Sequence, residues 1–284
     1  MKHSYLFLLF LILTKNLLAT DDAYILYNKD GKKSSYQKLL QAASKADIIL
    51  FGELHNNPIC HWMQLKLTSD LHAVHQDNLV LGAEMFEADD QLVLNEYLND
   101  FISDKTFKEE SKQWNNFNTD YKPLVDFAKK NNLPFIATNI PRRYANIVFK
   151  RGLASLDSID KAALQWICPL PFAFDGELDC YKNISKAAMH GSQNMALAQA
   201  IKDATMAYFI QKNMNESSVF LHFNGSYHSN YHESIAWYLR KYFPEINIVV
   251  IASHEADNIE IFDPSHQDMG DYILYTPSKM TKTY

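Results

Sequence analysis

Glycine and proline are scarce in this chain, at 8 and 9 of 284 residues, and no Gly/Ser/Pro-rich stretch sets one part off from another. That excludes a flexible interdomain linker, a collagen-like repeat and a low-complexity region. No self-similarity of solenoid length is found either. The three cysteines, Cys60, Cys168 and Cys180, are too few for a disulfide-built scaffold and odd in number. Cys168 and Cys180 flank the turn-rich PLPFAFDGELD, so they either pair in an oxidising compartment or remain two buried thiols. Basic clusters are missing too. The formal charge is −6 and no Lys/Arg run occurs, which argues against nucleic acid as a partner. A compact metal signature such as H-E-x-x-H is absent.

Long apolar runs are lacking as well. The best candidate lies in the opening MKHSYLFLLFLILTKNLLAT, where the apolar core from Tyr5 to Leu13 is too short to span a bilayer. With Lys2 before it and the small Ala19 after it, residues 1–19 are expected to form a secretory signal peptide, leaving 20–284 as a single domain. Its removal takes away Lys2 and Lys15 and moves the formal charge to −8. The expectation is therefore export, to the cell envelope or periplasm. No cysteine near the cleavage point supports a lipid anchor.

What the chain does have is a series of short, continuous apolar runs, at 23–27, 47–51, 78–86, 133–140, 218–223, 246–252 and 271–276. Such runs suit strands covered on both faces. Helical patterns lie between them, at 59–74, 89–98, 120–131, 142–151, 187–213 and 230–242. Pro141 and Gly152 punctuate one of these helices at its two ends. The alternation predicts an α/β fold: a largely parallel central sheet flanked by helices, with helical insertions at 87–131 and 153–215 capping the strand carboxyl ends.

Ligands of such sheets bind outside the carboxyl ends of the strands, and the residues there are rich in chemistry. Gly-x-x-His occurs twice directly after a strand, as GELH (52–55) and GSYH (225–228), giving Glu53, His55, Tyr227 and His228, with Tyr231 and His232 one turn on. Glu84 stands inside the apolar LGAEMF, where an unpaired carboxylate would cost several kcal/mol to bury. It is either functional or a structural partner of Arg142 or Arg143. Each histidine taken alone suits a helix cap or a core hydrogen bond. Two in matched strand-end contexts favour function. For Glu53 and His55 to face one pocket, the chain must turn at once after the strand. His72 and His75, at i and i+3 without a third ligand nearby, suit a solvated face. Tyr144 follows Arg142 and Arg143 at a helix start, where guanidinium groups favour a phenolate. A phenolate is a hard ligand suited to ferric iron, and the plain alternative is a tyrosine that anchors the helix.

GELH, LGAEMF, W-x-x-F-x-x-D-Y-x-P-L (114–124), ATNIPRRY, QAIKDATMA (199–207) and the second Gly-x-x-His occur in that order. Over roughly residues 45–252 this set resembles the ChaN-like haem-binding uptake proteins of the Tiki/TraB/erythromycin-esterase superfamily. The resemblance implies a haem-binding protein of bacterial iron or haem acquisition. Its haem iron would be held by a tyrosinate at a homodimer interface, with an outer-membrane haem transport system as a further partner. Tyr144 is the first candidate ligand, with Tyr227 and Tyr231 in reserve. The superfamily also implies an alternative, a metal-dependent hydrolase or protease. There His55 and His228 would hold a divalent ion and Glu53, Glu84 and Arg143 would complete the catalytic set.

Overall fold

All seven apolar runs form strands. The computed structural model describes residues 22–187 and 194–284, so the expected signal peptide at 1–19 lies outside the described residues. The strands are β1 (Ile25–Asn28), β2 (Ile48–Glu53), β3 (Leu79–Glu87), β4 (Phe135–Asn139), β5 (Val219–Gly225), β6 (Ile248–Ala256) and β7 (Tyr272–Pro277). They make one sheet in the order β1-β7-β6-β2-β5-β3-β4. Only β1 runs antiparallel, against β7. The central β2 and β5 are buried along their whole length, as a sheet covered on both faces requires.

The two-residue period of the strands sorts their side chains between two cores. Ile49, Phe51, Leu81, Leu221 and Phe223 pack against α1 (Tyr36–Ala43), α2 (Pro58–His75), α3 (Gln91–Leu98), α4 (Asp104–Glu110) and α5 (Lys122–Lys130). On the opposite face, Ile48, Leu50, Phe220 and Val250 meet α6 (Arg142–Arg151), α8 (Asn194–Lys212) and α9 (Ile235–Tyr242). Between α6 and α8 comes α7 (Asp179–Ala187), whose Tyr181 packs on Ala196 and Ala200 of α8. No helix among the described residues is long and apolar enough to cross a membrane.

Several expectations need revision. The helix expected over 230–242 begins only at Ile235, because Tyr231, His232 and Ser234 all take positive φ, a costly conformation for side-chain-bearing residues. The helical pattern expected over 187–213 is regular from Asn194, and residues 188–193 lie outside the described residues. The stretch 153–178 consists of short 3-10 turns and irregular chain, not long helices. Cys168 and Cys180 do not pair. All three cysteines are free thiols, and burial pushes the Cys168 and Cys180 thiols up to about 12. His72 and His75 are half-buried where a solvated face was expected, His72 packing edge-on against Phe127.

One local device places the start of α2 beneath the sheet edge. The Asn57 carbonyl oxygen accepts from the Ile59 and Cys60 amides at 3.0 and 3.2 Å, an N-cap with Pro58 in the first helical turn. Its amide nitrogen donates to Glu255 and Thr276 of β6 and β7, both at 2.8 Å. Cap and tether thus share one buried side chain. Asn57→Ala is expected to lower stability by about 2 kcal/mol, the sum of a lost cap and buried bonds, read as a shift in the urea midpoint at constant slope.

Candidate functional site

The parallel register decides what meets what at the carboxyl edge. Glu53 of β2 lies opposite Gly225 of β5, so the two Gly-x-x-His segments leave neighbouring strands at the same level. Each glycine is needed by the other segment. A Cβ on Gly225 would stand 2.8 Å from His55 Nε2, and one on Gly52 would stand 2.9 Å from Ser229 Oγ and 3.1 Å from Ser226 Cα. The chain does turn at once after β2, with the Asn57 amide donating to Leu54 O at 2.9 Å.

That turn brings Glu53 and His55 together. The Glu53 carboxylate, 1% exposed, accepts from His55 Nδ1 at 2.9 Å, Tyr121 Oη at 2.6 Å and Gln64 Nε2 at 2.5 Å. Burial and Glu53 together hold the Tyr121 phenol far above its ordinary range, as befits a hydroxyl that donates to a buried carboxylate. Asn116 Nδ2 bonds the His55 carbonyl at 2.8 Å and Asp120 at 2.6 Å, and His61 Nε2 reaches the same carbonyl at 3.1 Å. Asn116, Asp120 and Tyr121 come from the segment 114–124, which forms a π-helical turn over Phe117–Tyr121, a form frequent at functional sites. The His55 side chain keeps 35% of its surface exposed and packs edge-on against Trp114, ring centres 4.9 Å apart.

A second, deeper cluster lies beside it. His228 Nε2 stands 3.1 Å from Glu84 Oε1, and its Nδ1 bonds Asp203 of α8. Glu84 Oε2 accepts the Gly225 amide at 2.8 Å, Asp203 accepts from Tyr181 at 2.8 Å, and the Gln199 amide lies within 3.1 Å of both imidazole nitrogens. Burial opposes charge on His228, but Glu84 and Asp203 override it and hold the imidazolium up to about 10. Burial likewise opposes charge on Glu84, and His228 with the Gly225 amide overrides it, holding this carboxyl far below its usual range. On Asp203 burial wins and the carboxyl is raised. His55, disfavoured by burial, is raised on balance by Glu53 and Glu84.

The expected site residues thus divide. Glu53, His55, Glu84 and His228 converge at one edge. Arg143 stands apart from them, bonded to Asp89 at 2.5 Å with its guanidinium 4.5 Å over the Tyr144 ring. Glu84 therefore pairs with His228 rather than with Arg142 or Arg143: β3 lies between β5 and β4, and the Glu84 carboxylate turns to the β5 side, where it also accepts the Gly225 amide. Tyr227 is 77% exposed beside His228, and Tyr231 is exposed with its hydroxyl donating to Ser265 O at 3.0 Å. The divalent-metal alternative lacks a ligand set. Both nitrogens of His228 face carboxylates, and among the described residues no group of three His, Cys, Asp or Glu side chains could hold an ion. Sequence reasoning missed His61, Gln64, Asn116, Tyr121, Tyr181 and Asp203. Asp203 had a signal, as the acidic residue among mostly small and apolar neighbours in the 199–207 segment quoted above.

Next to this site a cavity of about 620 Å³ opens between the 112–116 loop and the start of α6, with Trp114, Asn116, Arg142, Arg143 and Tyr284 in its walls. Asn116 and Trp114 connect it to His55, one through the carbonyl and one through the ring.

The His228 cluster carries a pH dependence of defined sign. The folded pKa lies above the unfolded value of 6.5, so its stabilisation is complete below about pH 6.5 and is lost as pH rises toward 10. Glu84, depressed in the fold, contributes above its ordinary range and loses that contribution as pH falls. The melting temperature is expected to decline from pH 6.5 to 10. In His228→Gln, destabilised at neutral pH by about 3–5 kcal/mol, that decline should flatten, and an unchanged alkaline slope would refute the assignment. Gly225→Ala is expected to cost about 1–3 kcal/mol through overpacking and to move the His55 ring, checked by the shift of the His55 imidazole resonances.

Comparison with known proteins agrees with this architecture. The structure described as cofacial haem binding to ChaN of Campylobacter jejuni superposes with a TM-score of 0.68 at 16% identity, covering 91% of this chain and 98% of that one. At that identity the likeness shows the fold. An erythromycin esterase EreC mutant in its open conformation is more distant, with a TM-score of 0.47 at 12% identity over 82% of this chain and 77% of that one. No curated protein matches by sequence. A family model described as haem-binding uptake, Tiki superfamily, ChaN matches residues 39–239. The chain belongs to that family of ChaN-like haem-binding uptake proteins.

Proposed function

We propose that this protein binds haem in bacterial iron or haem acquisition, as an exported homodimer working with an outer-membrane haem transport system. The observation that carries this reading is the family match across residues 39–239, on a fold shared with a protein described as binding haem cofacially. The donor chemistry supports it. Phenolate oxygen suits ferric iron, and three tyrosines stand at or beside the carboxyl edge. Tyr144, which the neighbouring Arg143 covers, is our first ligand candidate. Tyr227 is the strongest alternative, since its phenol is exposed and its hydroxyl bonds no described residue. Tyr231 is third, its hydroxyl already committed to Ser265. Bound haem supplies the iron centre; the chain supplies the oxygen ligand and the surface that shields it.

A second reading rests on the pairing of Glu53 with His55. Glu53 engages Nδ1 and leaves Nε2 of a partly exposed imidazole as a general base. That geometry suits hydrolysis of a carbonyl ester, in which His55 would take a proton from water and return it to the leaving group.

Haemin titration of residues 20–284, followed by absorbance and sedimentation, tests the first reading. Saturation at about one haem per chain with a monomer-to-dimer shift is the expected result, and no saturable binding would end it. Tyr144→Phe is expected to abolish a high-spin ferric tyrosinate spectrum with the fold intact. An unchanged spectrum transfers the role to Tyr227 or Tyr231, separated by the same substitution. Turnover of p-nitrophenyl acetate that His55→Gln abolishes would establish the second reading.

A further inference from the structure

Backbone strain gathers in the turn that follows the second Gly-x-x-His. Tyr231, His232 and Ser234 take φ of 58°, 59° and 52° within four residues, and none of them is glycine. Such a run persists only where its neighbours hold it. Two holds come from the segment that crosses from β6 to β7. The Tyr231 amide donates to Met269 O at 2.8 Å, and its hydroxyl donates to Ser265 O at 3.0 Å.

That segment is fastened to the sheet through two imidazoles. His254 of β6 and His266, in the 3-10 turn Pro264–His266, lie with ring centres 4.0 Å apart, and both are half-buried. Tyr275 of β7 completes the fastening. Its hydroxyl accepts the Asp263 amide at 3.2 Å and stands 2.5 Å from His266 Nδ1. No other acceptor for the phenolic proton stands among the described residues, so Nδ1 takes it. His266 in this arrangement is neutral, with its own hydrogen on Nε2.

The groups around the pair decide what an added proton does. Asp263, from the crossing segment, is the carboxylate within reach of both imidazoles. Its Oδ1 already accepts from the Ser265 amide and hydroxyl at 2.8 and 2.7 Å. Tyr275 packs on His254, and Tyr27 of β1 packs on Tyr275, so these two offer phenols rather than charge. One imidazolium can be balanced here and a second cannot. The second would face a like charge and leave the Tyr275 proton without its acceptor. Burial, and after it His266, push His254 below its ordinary range. The folded chain therefore keeps His254 neutral where the unfolded chain would charge it. That stabilisation is complete above about pH 6.5 and is lost as pH falls through the folded value. His232, on the turn itself, lies 3.6 Å from Asp271 and 3.0 Å from Arg240, so a proton there meets a carboxylate of its own.

We propose that His254 and His266 form an acid-operated latch: when both carry a proton, the 263–269 segment moves off β6 and frees the strained turn at 231–234. The latch belongs to the chain alone and does not depend on bound haem. Ser234 Oγ donates to Tyr227 O at 3.2 Å, so release reaches the lip of the carboxyl edge. That lip is ordered at neutral pH and loosened in mild acid.

Hydrogen exchange of the full chain without added ligand, corrected for the intrinsic effect of pH, tests the latch. Protection of the Tyr231 amide is expected to fall about tenfold or more between about pH 7 and about pH 5, the span in which imidazoles take their proton. The Phe220 amide of β5, bonded to Asp47 O at 2.9 Å, should lose far less, which separates local release from global unfolding. His222, pushed down to about 4 by burial, titrates below that span. His254→Gln and His266→Gln should each keep the Tyr231 amide protected at the lower pH. The latch is overturned by no fall in the native chain, by an equal loss at Phe220, by a fall that survives in both variants, or by one that only His232→Gln removes. Where a variant loosens the turn already at neutral pH, the imidazole resonances of the native chain decide. Loss of Tyr231 protection should track the titration of His254, and titration of both histidines with that protection intact overturns the proposal.

Discussion

The buried imidazolium of His228, set between Glu84 and Asp203, ties together the elements that shape the carboxyl edge. Glu84 belongs to β3, His228 to the turn after β5 and Asp203 to α8, which crosses the far face of the sheet. Tyr181 extends the chain of contacts into α7. A buried charge needs complete pairing, since losing one partner leaves the rest uncompensated in a medium that solvates them poorly. The cluster therefore tolerates few arrangements of these elements. That restriction gives the loop after β5 its place, and with it the position of Tyr227.

The Glu53 cluster hangs on this frame through contact rather than charge. Gly225 carries no side chain, so the His55 ring can lie against the backbone that also feeds an amide proton to Glu84. Gly52 in turn admits Ser226 and Ser229 of the facing loop, and Ser226 donates to the Glu53 carbonyl at 3.1 Å. The repeated Gly-x-x-His is a reciprocal fit, each glycine making room for the loop that carries the other histidine. The two histidines then differ in character. His228 is enclosed and held as a cation between two carboxylates, whereas His55 keeps an open edge and a single close carboxylate. One is locked within the fold, and the other reaches solvent beside Trp114.

From that edge the structure opens toward the cavity, whose walls combine the Trp114 and Tyr284 rings with the Arg142 guanidinium, which has no ion-pair partner among the described residues. The lysine and the second arginine nearby neutralise Glu87, Asp89 and Asp90, so the polar rim is largely self-satisfied.

The strands, the parallel sheet and the four polar residues Glu53, His55, Glu84 and His228 were legible in the sequence, because a strand buried on both faces must read as an apolar run and a polar residue at its end stands out. The two half-buried histidines of α2, the free state of Cys168 and Cys180 and the late start of α9 were not legible. Each depends on what packs against the segment, and no local pattern records that. Asp203 and Tyr181 lie more than 20 residues from any motif histidine and join the site only because α7 and α8 fold onto the far face. By itself the sequence determined which residues would stand at strand ends, since backbone periodicity and burial are local consequences of residue type. Only the tertiary structure decided that Glu84 would face His228 and not Arg142 or Arg143. The order in which strands lie side by side comes from the packing of whole elements; it sets β3 between β5 and β4, and the Glu84 carboxylate points to the β5 side, to the Gly225 amide and His228.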